Sequence, residues 1–529
     1  VSDIFSFFPS GKAPRPQQVS AIKQVQAHYD AGKKIVVVEM PTGGGKSFVA
    51  QTFADEAISR GGKAFMITIQ NILLPQYTKD FPQIKVLKGR SHYACTHANA
   101  GKDQDADNGV CKVVSKSILP DCVVGNRLDA GDPYIMPPIM HLCPYWKAAS
   151  EAREADESLF TFDGFLSQQR ANRFGHREFM VVDEAHNIEG KIEDFVSVEI
   201  SEKLIAQMGV DMPLNLETVD QVIQWSETEG LSKKAHKMLE LDPPKYVRKQ
   251  LDALTFKLDM LSDYAAWVDW VVDYVDNKRG DKIMKCRPLS AAPFADDLLF
   301  SKAGRVLAMS ATILNQKVWA ESLGLAVADV GFVTCQSEFP KENRPIHLSY
   351  CGNMSFKYYQ DTKPSFIKSV RGILQKHGGE RGIIHCHTFN LQRDIRELVN
   401  MPRLLFQQDF KTKDEMLVAH AASPNGVIVA PAMHEGLDLF GDLSRFQIIC
   451  KVPWPDLKDK VVKAKADKID GWYAMQAALK FVQSYGRSVR SSTDWAKTYM
   501  LDSGFTYFMK KNGHMIPTWV TSAITSGGF

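Results

Sequence analysis

Two short stretches constrain this 529-residue chain more than anything else in it: EMPTGGGKS at 39–47 and VVDEAHN at 181–187. A β-branched run, KIVVVEM (34–40), leads into the first of them. A buried strand that delivers the chain into a glycine-rich turn and then a helix is a phosphate-binding loop. Thr42, Gly43, Gly44 and Gly45 bring backbone N–H groups up to phosphate oxygens, Lys46 reaches the β/γ-phosphates, and the Ser47 hydroxyl is offered to Mg²⁺. Asp183 and Glu184 end a second β-branched run, which puts two carboxylates at the tip of another buried strand. Asp183 can share Mg²⁺ with Ser47, and Glu184 can polarise an attacking water. Either stretch alone is weak. Both on one chain, in this order, point to ATP hydrolysis.

The strand–loop–helix pattern recurs. The stretch SFVAQTFADEAISR reads as a helix stopped at Gly61-Gly62, and AFMITI (64–69), FMVVD (179–183) and VLAMSA (306–311) read as further buried strands. A second series, RGIIHCHT (381–388), GVIVAP (426–431) and FQIICKVP (446–453), follows from about residue 345. Such alternation predicts α/β domains with parallel sheets and their chemistry at the strand C-termini. Two segments interrupt the first series, roughly 88–148 and 190–290. In the second, Val247, Leu251, Leu254, Leu258, Leu261, Val268, Val271 and Val275 recur at helical spacing after Pro243-Pro244. The spacing predicts one helix of about 30 residues, about 45 Å long, ended by Gly280.

Composition bounds the rest. An apolar share of 44% suits a globular protein, and 64 basic against 61 acidic residues confine any nucleic-acid groove to a local patch. No apolar run approaches a membrane span, and the opening VSDIFSFFPSGKAPRP lacks the pattern of a signal peptide. The expectation is a soluble, cytoplasmic protein without a membrane partner, whose nine cysteines are thiols or metal ligands.

Further motifs surround the two central ones. Ser310-Ala311-Thr312 end a strand, where hydroxyls either cap a helix or couple a nucleotide site to a distant grip. QSYGRSVR (483–490) sets Arg487 and Arg490 three apart on one side of a helical turn, either as a solvated basic face or as arginine fingers. HEGLDL (434–439) offers Glu435, Gly436 and Asp438. Cys95, Cys111, Cys122 and Cys143 have 15, 10 and 20 residues between them. That spacing lacks C-x₂-C pairs and alone does not separate buried thiols from a metal site. The local contexts KGRSHYAC and CPYW favour ligands, and four thiolates can hold a [4Fe–4S] cluster, with His92 and His97 competing with Cys122. The other five cysteines read as core.

Together these motifs resemble the XPD/DinG family of superfamily 2 iron–sulfur DNA helicases. RPQQ (15–18), PTGGGKS, ITIQNILLPQ, KGRSHYAC, CPYW, DEAHNI, MSATI, FPKENRPI (339–346), HEGLD and QSYGRSVR fall in the family's order along nearly the whole chain. His92 stands where the family usually has asparagine, and Met433 and His434 where it has aromatics. The resemblance implies two RecA-like domains with an iron–sulfur domain and a helical arch inserted in the first. Expected boundaries are 1–87, 149–190 and 286–330 for the first domain, 88–148 for the cluster domain, 191–285 for the arch and 331–529 for the second domain. It also implies ATP, Mg²⁺ and a [4Fe–4S] cluster as cofactors, Gln18, Asp438 and Gln483 among the nucleotide contacts, and His186 linking the ATP site to the second domain. Expected partners are single-stranded and forked duplex DNA, reached by 5′→3′ translocation, with RNA–DNA hybrids a further substrate class. Lys88, Arg90, Tyr93, Tyr145 and Trp146 are candidate strand contacts, each with a purely structural reading beside it. The rival reading of the whole chain is an ATP-gated nucleic-acid clamp that does not unwind.

Overall fold

The computed structural model describes residues 3–9, 11–69, 73–96, 100, 104–107, 109, 143–170, 173–241, 243–277, 280–431, 439 and 441–525. Its strands, in chain order, are β1 (Ile35–Glu39), β2 (Ala64–Thr68), β3 (Lys85–Leu87), β4 (Glu157–Thr161), β5 (Arg177–Asp183), β6 (Val198–Ser201), β7 (Trp270–Asp276), β8 (Lys282–Pro288), β9 (Ala303–Ser310) and β10 (Val330–Thr334). Then come β11 (Ile346–Gly352), β12 (Gly382–His385), β13 (Leu404–Phe406), β14 (Val427–Ala430), β15 (Phe446–Ile449), β16 (Lys497–Asp502) and β17 (Ile524–Thr525).

Two seven-stranded sheets result, ordered β10-β1-β9-β5-β2-β4-β3 and β13-β14-β12-β15-β16-β11-β17. Every pairing in both is parallel. Parallel sheets need cover on both faces, and the apolar runs supply it. In β1, Ile35 and Val37 enter one core while Val36 and Val38 enter the opposite one. In β2, Phe65 and Ile67 join the first core while Ala64 and Met66 join the second. Each large apolar side chain among them contributes roughly 1.5–3 kcal/mol by leaving water. The two sheets are RecA-like, as the motifs led one to expect. The first sheet extends to Thr334, and the second begins at Ile346. No helix among the described residues is long and apolar enough to cross a membrane.

Between β5 and β9 the chain builds a separate unit with its own core. It holds the helices Val219–Thr228, Leu231–Glu240 and Lys245–Tyr264 and an antiparallel sheet, β6-β8-β7. The single helix running to Gly280 is therefore corrected. The helix stops at Tyr264, with Val247, Leu251, Leu254, Leu258 and Leu261 buried, and the chain re-enters as β7. Trp270, Val271, Val272, Tyr274 and Val275 are β-formers, and in β7 the buried residue becomes Val272 while Val271 and Val275 are half-buried. Gly280, at φ +70°, belongs to the β7–β8 turn, where Asn277 N–H donates to the Asp281 carbonyl at 2.9 Å.

Candidate nucleotide site between the two sheets

The loop after β1 turns sharply and enters the helix Lys46–Ser59. Gly43 and Gly45 sit at φ +76° and +85°, where other residues are strained. A Cβ on Gly43 would lie 2.5 Å from the Arg490 carbonyl oxygen, and one on Gly45 would collide with the Gln18 amide. Three side chains brace the loop from outside. Arg15 Nη1 donates to the Gly43 carbonyl at 2.8 Å, Gln17 Nε2 to Gly44 at 3.4 Å and Gln18 Nε2 to Gly45 at 3.1 Å. Gln18 is buried, with its Oε1 taken by the Arg15 N–H at 2.8 Å, so it supports the loop and does not line the cleft.

Lys46 lies half-buried, with Nζ donating to the Met40 carbonyl at 3.2 Å. Burial pushes its ammonium toward the neutral form, and the carboxylates of Glu184 and Asp183 oppose that. Asp183, at the end of β5, accepts from the Tyr77 hydroxyl at 2.9 Å and from the Glu184 N–H at 2.9 Å. Burial and the adjacent Glu184 raise its pKa, while Lys46 lowers it. A divalent cation beside Ser47 and Asp183 would complete that charge balance, which is what this donor set suits. Glu184 adopts a left-handed φ of +55°, which turns the chain at the strand tip and places its side chain in the cleft.

The second sheet closes the cleft. Gly441, Arg445, Arg487, Arg490, Ser491, Thr493 and Asp494 face the phosphate loop across a cavity of about 880 Å³. Thr42 Oγ1 donates to the Gly486 carbonyl at 3.2 Å, joining the two halves directly. Arg487 and Arg490 do not share a helical turn as the spacing implied. The helix Trp472–Tyr485 ends at Gly486, and both arginines lie on the irregular arm beyond it, Arg487 in its first turn. Arg445 pairs with Asp494 at 2.8 Å, and Asp494 Oδ2 accepts from the Arg490 and Gly441 N–H groups at 3.2 and 3.1 Å, fixing the arm.

His186 ties the halves together a second time. Its Nδ1 lies 2.7 Å from Ser310 Oγ, which itself accepts from the Thr312 N–H at 2.9 Å. If Ser310 donates its proton to Nδ1, Nε2–H becomes the donor toward the Gln483 amide. An amide turned so that its otherwise orphaned Oε1 faces the ring satisfies both groups. Gln483 thus meets His186, and neither residue lines the nucleotide cavity.

Asp438, Cys111, Cys122, Glu435, Gly436, Met433, His434 and His97 lie outside the described residues. Cys95 and Cys143 are half-buried free thiols at the two edges of the cysteine segment. Tyr93 and Tyr145, two residues from each, stack edge to face at 5.7 Å, which brings the two stems side by side. Among the described residues no group of three or more His, Cys, Asp or Glu side chains could hold a metal. Tyr145 is buried under Arg90, whose guanidinium sits 4.5 Å from its ring, so it cannot stack on a base. Sequence reasoning missed Tyr77, Arg15, Arg445 and Asp494. Only Arg15, beside the two glutamines of RPQQ, stood within a motif that could have drawn notice.

Two RecA-like sheets that share one phosphate loop, one acidic pair and one arginine arm define a superfamily 2 helicase. Residues 11–212 match the type III restriction enzyme res subunit family, and 367–523 match the helicase C-terminal domain family. The chain is 22% identical to the ATP-dependent DNA helicase YoaA of Escherichia coli (strain K12), over 92% of this chain and 90% of that one. It is 26% identical to the ATP-dependent DNA helicase DinG of Photobacterium profundum, over 44% of this chain and 36% of that one. A solved XPD helicase has the same fold at a TM-score of 0.65 and 13% identity, covering 98% of this chain and 100% of that one. The chain belongs to the XPD/DinG family of helicases.

Proposed function

We propose that the chain hydrolyses ATP in the cleft between its sheets and uses their closing and opening to move 5′→3′ along single-stranded DNA, displacing the paired strand. The observation that carries this reading is the meeting, in one cavity, of Lys46, Asp183 and Glu184 with Arg487 and Arg490. Backbone N–H groups of the loop and Lys46 hold the phosphates, and Ser47 and Asp183 hold Mg²⁺, which neutralises phosphate charge. Glu184 takes the proton of the attacking water. Arg487 and Arg490 reach the γ-phosphate and stabilise the charge of the transition state, so turnover requires the closed cleft. His186 and Gln483 transmit closure to the Ser310–Thr312 turn. The family resemblance supports the direction of travel and DNA as the track. Matched duplexes with 5′ or 3′ tails, each with DNA or RNA loading strands, test both. Opening only of 3′-tailed duplexes removes the direction, and ATP turnover without any opening favours the clamp.

Cys95, Cys111, Cys122 and Cys143 are proposed to hold one [4Fe–4S] cluster. The juxtaposed stems of Cys95 and Cys143 support it. Thiolate–iron bonds would supply folding energy that so small an insertion cannot gain by burial. Anaerobically purified protein is expected to be brown with about four irons per chain. Cys143→Ser should lose colour and unwinding but keep basal hydrolysis. One zinc per chain instead, or full unwinding by that variant, removes the cluster.

A further inference from the structure

The linker between the sheets, residues 336–345, touches both halves of the nucleotide site. On one side it meets the phosphate loop. A Cβ on Gly43 would come within 3.0 Å of the Phe339 ring. Glu338 Oε1 accepts from the Gln17 N–H at 3.2 Å, and Gln17 in turn braces Gly44.

On its other side the linker grips the arm that bears Arg487 and Arg490. Arg344 is 6% exposed. Its Nε and Nη2 donate to the Phe339 carbonyl at 3.3 and 3.1 Å, and its Nη1 donates to the Tyr485 hydroxyl at 3.2 Å and to the Trp519 carbonyl. The Tyr485 hydroxyl donates back to the Arg344 carbonyl at 2.7 Å. Asn343 holds the far end: its Nδ2 donates to the Ser492 carbonyl and its carbonyl accepts from the Ala496 N–H, both at 2.9 Å. Tyr485 ends the helix before the arm, and Ala496 is the last residue before β16. Both roots of the arm are therefore fastened to consecutive linker residues.

We infer that Arg344 and Asn343 are positioning residues for ATP hydrolysis, holding the arginine arm to a linker whose opposite side rests on the phosphate loop through Phe339. The inference rests on the finger role given above to Arg487 and Arg490. A finger acts only when its guanidinium meets the γ-phosphate in register, and a misplacement of about 1 Å can cost about a hundredfold in rate. A buried planar fork with three fixed acceptors suits that task, because a lysine in its place can satisfy only a point-charge geometry. Displacement of Phe339 when the loop takes up phosphates would pass through the same guanidinium to the arm.

The test measures steady-state ATP hydrolysis, with binding of a fluorescent ATP analogue followed separately. The variants are Tyr485→Phe, Arg344→Lys and Arg344→Met, each also made in an Arg487→Ala/Arg490→Ala background. Arg344→Met is expected to lower kcat at least about tenfold and Tyr485→Phe about threefold, with Arg344→Lys between them. Analogue affinity should stay within about twofold throughout, the signature of an interaction made only in the transition state. In the background lacking both arginines none of the three changes should lower kcat further. Equal fractional losses in both backgrounds would overturn the inference. So would full activity of Tyr485→Phe and Arg344→Lys beside a slow double arginine variant. Wild-type turnover by the double arginine variant itself would overturn the finger role and this inference together. If Arg344→Met does not fold, Tyr485→Phe, which removes one hydroxyl, decides the matter.

Discussion

The two seven-stranded sheets repeat one topology. Reading each from the same edge, β10-β1-β9-β5-β2-β4-β3 matches β17-β11-β16-β15-β12-β14-β13 strand for strand, in the same chain order. Their contents differ at two corresponding tips. β1 delivers into a glycine loop and a helix, whereas β11 delivers into Asn353-Met354-Ser355-Phe356-Lys357-Tyr358. β5 ends in Asp183-Glu184, whereas β15 ends before Cys450-Lys451. The second sheet faces the cleft with the opposite ends of its strands. Gly441 and Arg445 precede β15, and Arg487 through Asp494 precede β16. One copy keeps the phosphate chemistry of strand C-termini, and the other supplies cations from its strand N-termini.

The comparison breaks most sharply at the arginines. Arg490→Ala is expected to lower turnover by about 10³-fold or more with ATP affinity nearly unchanged. A parallel collapse of ATP binding would make the second sheet a binding wall and not a catalytic one. On the first sheet, Glu184→Gln should cost about 10²–10⁴-fold in turnover while nucleotide still binds. Lys46→Ala should instead weaken binding as well, and normal hydrolysis by either variant removes the assigned roles. A smaller effect belongs to the contact between copies. His186→Ala should leave ATP bound but lower nucleic-acid stimulation of hydrolysis by about tenfold, since a buried hydrogen-bond pair is worth about 1–1.5 kcal/mol. Unchanged stimulation would leave His186 a structural residue.

An effect on stability, and none on turnover, is expected from a group inside the first sheet. Glu157, opening β4, is buried against Gln51 at 2.9 Å, and burial pushes its carboxyl up to about 7. The unfolded value is about 4.3, so the folded chain holds the extra proton between those two values. Stability from this group is therefore greatest at low pH and falls as pH rises through about 7, by roughly 3–4 kcal/mol in all. Glu157→Gln should flatten the fall in urea midpoint across that window, and an unchanged slope would place the titration elsewhere.

Much of this was legible because its signals are local. The phosphate loop, the Asp183–Glu184 tip and the strands around them each lie within one short run whose period and glycines dictate the backbone. The insertion was misread where the helical period of Leu251–Leu261 passed into the strand period of β7, because Val271 and Val275 fit either. The arm was misread because Gly486 ends the helix before the first arginine. Gln18 was placed on nucleotide by resemblance, whereas its amide here joins the Arg15 N–H to the Gly45 carbonyl. Tyr77 on Asp183, and Arg445 on Asp494, join residues far apart in the chain, and no spacing announces such pairs.

The strand tips of one copy meeting the strand starts of the next form a heterologous, head-to-tail contact. Identical copies joined that way would keep adding units, each new seam a further nucleotide site, until they closed into a ring or ran on as a filament. Here the series stops after one seam, because the turn following β11 has no glycine run and the helix after it begins at Tyr359, without a lysine in the place of Lys46. The chain is thus a two-member segment of a potentially endless assembly, with one working junction.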